Sequence, residues 1–222
     1  MKFFKRLLNR IEIDAVSNAK NDDSDAIFSL TSASLLVEEK LGLQFSGTAA
    51  LCIKMINGGL FRNTINDCTD LLDVSKEEFE FDYKTFTDSY DYLWIIIEGK
   101  ALPDTSDTIT NVAAALSSAG DVIEENGFSD QILSAIFGFE FLDYGANSNN
   151  NIVYKKDTIK YNDKRKLFLI YNYKTNNFYP YMPIDYTRRD TSKELQTMSI
   201  LKGVISVEGD FSKWFPIKDI PF

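Results

Sequence analysis

The order of apolar and polar residues divides the chain into segments of different period. In MKFFKRLLNRI the apolar Phe3, Phe4, Leu7, Leu8 and Ile11 recur at helical spacing. Lys2, Lys5, Arg6 and Arg10 fall on the other side, which predicts a basic amphipathic helix. Ser17–Asp25 (SNAKNDDSD) is polar and aperiodic, as a tether would be. Residues 1–25 are therefore expected to form an arm and linker, and residues 26–222 one domain.

Within that domain, AIFSLTSASLLVEEKLG predicts a helix with Ile27, Leu30, Leu35, Val37 and Leu41 inward, stopped at Gly42. Gly47–Ile56 predicts a buried strand, and Asn57-Gly58-Gly59 a turn into a helix whose inner row is Phe61, Ile65, Cys68 and Leu72. FEFDYKTF alternates, whereas YLWIIIEG is apolar throughout, like a strand covered on both faces; the two predict a hairpin. Asp107–Asn126 carries Ile109, Val112, Ala113, Leu116 and Ile123 on one face and ends at Gly127. QILSAIFGFEFL and RKLFLIYNY predict strands flanking an Asn- and Lys-rich excursion, Tyr144–Lys164, expected to be exposed with weak strands. Arg189–Lys202 predicts a last helix with Leu195, Met198 and Leu201 inward, before an extended tail. The fold class is thus α+β: a mostly antiparallel sheet covered by helices, behind an amphipathic arm.

Charge and chemistry narrow the function. A net charge of −9 argues against nucleic acid, whose phosphates demand concentrated Lys and Arg. Removing the four cations of Met1–Ile11 leaves the remainder at −13, so the arm is electrostatically separate. It suits an anionic membrane surface or a helical partner, with docking onto the domain itself an equal alternative. At about 1 kcal/mol per cation the grip on a membrane would be reversible. Deleting Met1–Ile11 is expected to abolish flotation with anionic liposomes at low salt, and unchanged flotation would remove the membrane role.

The absence of histidine removes the commonest general base, most zinc sites and every Ser-His or Cys-His system. No phosphate-binding glycine motif is present, and NDDSD lacks the Gly and Glu of a calcium loop. Asp67 and Asp70, one helical turn apart, are expected to solvate a polar face rather than hold a metal. Cys52 and Cys68 read as reduced core thiols. With no apolar run of membrane-spanning length and no signal-peptide core, the chain is expected to be cytoplasmic, without catalytic residue, metal or cofactor.

The most specialised stretch is YKTNNFYPYMPIDYTRRD. Asn176-Asn177 signals a turn, so the flanking segments predict a short hairpin, with Pro180 and Pro183 confined to an edge or strand end. Arg188 and Arg189 precede a helix, where the macrodipole disfavours cations, so Asp185, Asp190, Glu194 or an anionic partner must compensate. Either these aromatics pack against the last helix, or they form a contact surface of the Tyr- and Arg-rich kind found at interfaces. The candidate partner-binding residues are Tyr173, Phe178, Tyr179, Tyr181, Arg188, Arg189, Asp190, Trp214 and Phe215. The candidate arm residues are Lys2, Phe3, Phe4, Lys5, Arg6, Leu7, Leu8 and Arg10.

Tyr171, Tyr173, Lys174, Phe178, Tyr179, Pro180 and Pro183, then Arg188-Arg189-Asp190 and Glu194-Leu195, then Trp214-Phe215-Pro216 and Pro221, form a pattern. In it the chain resembles the PspAB family of phage-shock-protein-A-associated proteins. It departs from that family in the Asn-rich segment Tyr144–Lys164, at Lys213 and in Lys218-Asp219-Ile220. The resemblance implies a non-catalytic companion of a PspA-type envelope-stress system, with a PspA-like protein or another stress component as partner and attachment at the inner membrane face as an option. Two alternatives stay open. The order of elements is similar to small acidic secretion chaperones, which would imply a peptide-binding dimer with an exposed apolar patch. A carboxylate-dependent metal enzyme would need converging acids.

Overall fold

The computed structural model describes residues 24–100, 105–141 and 165–222, with the side chains of 24–28 and 105 outside that description. The basic arm and the whole Asn-rich segment, Tyr144–Lys164, lie outside the described residues.

The chain runs α1 (Ser24–Leu41), β1 (Leu43–Lys54), α2 (Gly59–Ser75), β2 (Phe81–Thr87), β3 (Tyr92–Gly99) and α3 (Thr105–Glu125). It continues through β4 (Ile132–Phe141), β5 (Lys166–Asn172), β6 (Asn177–Tyr181) and α4 (Thr191–Leu201), then a tail. The strands form one sheet in the order β2-β3-β1-β4-β5-β6, antiparallel at every pairing. This is the α+β architecture that the periodicities predict.

Alternation along the central strands, interrupted by register shifts in the β1–β4 pairing at Phe45/Ala49 and Cys52/Ile53, supplies two apolar faces. Leu51, Ile53, Ile95, Ile97, Phe137, Leu169 and Phe178 point into a core with α1, α2 and α3. Cys52, Trp94, Ile96, Ile136, Phe168, Ile170, Tyr179 and Tyr181 belong to a second core, which Trp214, Ile217, Ile220 and Phe222 complete. The helices thus cover the first face, and the tail crosses the second. Close approach fixes both layers. A Cβ on Gly99 would meet methyls of Thr108 and Val112 at 2.8 Å, and one on Gly138 would meet Ser46 Oγ at 2.7 Å and Phe222 at 3.2 Å.

The inward faces of two helices differ from the apolar reading. In α1 the buried row is Leu30, Ala33, Ser34, Val37 and Leu41, while Leu35 is exposed; small residues let the helix sit close, and the row keeps the helical period. In α4 the buried residues are Glu194, Thr197 and Leu201, with Leu195 exposed. The ion pair that Glu194 makes, described below, turns the helix by about one residue. α1 also begins at Ser24, inside the stretch read as tether.

The inner rows of α2 and α3 agree with expectation: Phe61, Cys68 and Leu72 are buried, as are Ile109, Val112, Ala113, Leu116 and Ile123. Both cysteines are buried free thiols, and burial first, then a nearby aspartate, pushes each up to about 12. They stay protonated and unreactive at neutral pH.

Candidate functional site

The second face is where the molecule departs from a plain layered fold. β6 carries Tyr179 and Tyr181 onto this face, and Pro180 pairs opposite Leu169 in the edge strand. Beyond β6 the chain turns through Asp185, whose carboxylate accepts from Thr187 N–H, Arg188 N–H and Arg188 Nε. The Arg188 side-chain bond, reinforced by these backbone donors, holds the Asp185 carboxyl well below the usual carboxylate range.

Asp190 then caps α4, accepting Lys193 N–H at 3.0 Å and Arg165 Nη1 at 2.8 Å.

Arg189 joins three elements. Its Nε donates to both Glu194 oxygens (2.8 and 2.7 Å), Nη1 to the Trp214 carbonyl (2.9 Å) and Nη2 to the Pro180 carbonyl (3.4 Å). Its guanidinium lies 5.1 Å from the Tyr181 ring centroid and 6.0 Å from that of Trp214. Glu194 is wholly buried and also accepts Met182 N–H at 2.7 Å. The fork of a guanidinium can serve carboxylate, carbonyls and rings together, which an ammonium cannot.

Trp214 Nε1 donates to the Glu208 carbonyl and Tyr179 Oη to the Phe215 carbonyl, so the start of the tail is fastened to the sheet. Burial pushes the Tyr179 hydroxyl up, against the opposing pull of Arg189, and keeps it a donor.

On one side of this strap opens a cleft of about 1030 Å³. Trp94, Tyr90, Tyr92, Tyr179, Leu133 and Phe215 are among its walls. Asp88 supports it from the β2–β3 turn, accepting Trp94 Nε1 at 2.9 Å, Tyr90 N–H at 2.8 Å and Tyr92 N–H at 3.0 Å. Burial works against the ionised Asp88, yet these donors outweigh it and leave the carboxyl below its ordinary value. On the other side of the strap is a recess of about 610 Å³ with Arg165, Phe168, Tyr181 and Tyr186 in its lining. Lys218 lies 4.6 Å above the Tyr186 ring.

The full chain, residues 1–222, matches the family model described as PspA associated protein B, PspAB. This chain belongs to the PspAB family. No curated protein and no solved structure matches it. None of the described helices is long and apolar enough to cross a membrane, and no group of three acidic or cysteine side chains among the described residues could hold a metal.

Six of the residues that carry the family pattern meet at the tail's fastening: Tyr179 bonds the Phe215 carbonyl, and Arg189 bonds Glu194 and the Trp214 and Pro180 carbonyls. Of the candidate contact residues, the structure buries Tyr173, Phe178, Tyr179, Tyr181 and Trp214. Arg189 and Asp190 are half-buried and bonded internally. Arg188 and Phe215 face solvent, Phe215 at 56% exposure.

The cleft's other walls, Trp94, Tyr90, Tyr92 and Leu133, were not among the candidates. One signal could have found them: a strand apolar on both sides, YLWIIIEG, implies something covering its second face.

Proposed function

We propose that this PspAB-family chain is a non-enzymatic interaction protein of the PspA-type envelope-stress response, and that it holds a segment of a PspA-like partner in the aromatic cleft. The observation that supports this reading is the composition of the cleft wall. Tyr90, Leu133 and Phe215 present exposed apolar area around a space large enough for several residues of a partner, and the buried Trp94 and Tyr179 back it. Such aromatic pockets are where binding energy concentrates in protein interfaces.

The basic segment Lys2–Arg10 would add peripheral membrane attachment near the partner's site of action.

Calorimetric titration of the purified chain with the PspA-like protein encoded by the same host tests the reading. Phe215→Ala and Leu133→Glu are each expected to weaken binding by on the order of 30-fold, the scale of a truncated hot spot, without lowering the melting temperature. Affinities equal to wild type in both variants would sink the cleft as the contact site. Equal binding of any unfolded client would favour the chaperone reading instead.

A further inference from the structure

The two outer edges of the sheet are finished differently. Along β6, Phe178 N–H donates to the Ser206 carbonyl at 2.8 Å and the Phe178 carbonyl accepts Glu208 N–H at 2.7 Å, so the tail occupies that edge. Among the described residues no strand lies beyond β2, and Asp82, Lys84, Thr85 and Phe86 are exposed.

Lys100 N–H donates to the Glu80 carbonyl and Asp88 N–H to the Tyr92 carbonyl. In an antiparallel ladder the residues bonded to one neighbour alternate with those facing away. The even-numbered residues of β2 therefore bond β3, and the backbone groups of Tyr83 and Thr85 point outward. Phe81 N–H is taken by the Lys76 carbonyl, which leaves only the Phe81 carbonyl on the open side.

The charges on this strand are unbalanced within one copy. Asp82 stands directly opposite Glu98, a like-charge pair, while Lys84 reaches diagonally to Glu98. Among the described residues Asp82 has no ion-pair partner.

We propose that β2 pairs antiparallel with β2 of a second copy about a two-fold axis, in the register that sets Tyr83 opposite the partner's Tyr83. The two Tyr83 residues then exchange both backbone hydrogen bonds, and Thr85 N–H reaches the carbonyl of the partner's Phe81. On the second face Asp82 meets the partner's Lys84, and Lys84 the partner's Asp82. Sliding by two residues either way sets Asp82 against the partner's Asp82, or Lys84 against the partner's Lys84. Charges on an edge strand ordinarily discourage pairing; here their spacing permits one self-complementary register. The interface is closed and isologous. Because paired strands continue one sheet, both clefts open on the same side, suited to an oligomeric partner.

Light scattering of the full-length chain over a range of concentrations tests this. The expected mass at high concentration is twice 25.3 kDa. Thr85→Pro is expected to give the monomer with an unchanged circular dichroism spectrum, because the N–H it removes is not used by β3 and Pro180 already occupies the opposite edge strand. Asp82→Lys is expected to raise the dimer Kd by on the order of tenfold, and Asp82→Lys with Lys84→Asp to restore it. A wild-type chain that is monomeric throughout, a dimer that survives in folded Thr85→Pro, or a double exchange that fails to restore association would each overturn the proposal. If Thr85→Pro does not fold, the two charge variants decide alone. None of these readouts involves the cleft, so the pairing and the proposed function fail independently.

Discussion

Replacing Arg189 by alanine is expected to lower the unfolding free energy by about 3–5 kcal/mol, the cost of leaving one member of a buried ion pair uncompensated. Glu194 has no solvent exposure, and with Arg189 removed its carboxylate keeps only the Met182 N–H. The same change frees the Trp214 and Pro180 carbonyls and removes the cation from between two aromatic rings. Arg189→Lys should lose a large part of this, since a single ammonium cannot reach the carboxylate and the Trp214 carbonyl together.

Glu194→Gln should cost less, because Arg189 retains about a quarter of its side-chain exposure and can reach water. Replacing both by apolar residues should cost less than the sum of the single changes, as expected for a coupled pair. Urea unfolding with an unchanged slope reads each value. A loss below about 1 kcal/mol for Arg189→Ala would mean that the tail is not fastened through this residue.

That dependence also explains which parts of the fold were legible in the sequence. Where burial is set by apolar side chains alone, the pattern sufficed: α3 buries the row from Ile109 to Ile123, and β3 presents Leu93, Ile95 and Ile97 to one core and Trp94 and Ile96 to the other. Where a polar group is buried with its partner, the pattern misled. The row that reads as inward is Leu195, Met198 and Leu201, whereas Glu194, expected only as one possible counter-charge for the arginines, is buried, held by Arg189 and the Met182 N–H.

The aromatic stretch was recognisable as a unit, but its orientation depended on what covers the second face. The cover is the tail from Trp214 to Phe222, whose Ile217, Ile220 and Phe222 follow no strand or helix period. The cleft draws walls from β3, β4, β6 and the tail, so its residues lie too far apart in sequence for any local pattern to collect.

Trp94→Ala is expected to cost about 3–5 kcal/mol, since the indole is fully buried in the second core and its removal leaves a cavity beneath the tail. Trp94→Phe separates packing from hydrogen bonding, because it keeps most of the ring but removes the donor to Asp88. Part of its smaller cost should depend on pH. The folded Asp88 carboxyl lies below its ordinary value, so its stabilisation is fully present above the unfolded aspartate range, near about 4. It fades as the pH falls through the depressed folded value. Without the indole donor the folded carboxyl rises towards the unfolded one, and less remains to be lost. The stability gap between wild type and Trp94→Phe should therefore be largest at neutral pH and narrow towards acid, leaving the packing difference alone. Chemical denaturation from pH 7 down to about 3 measures that gap, and a gap constant over this range would show that the Trp94–Asp88 hydrogen bond contributes nothing to the ionised state.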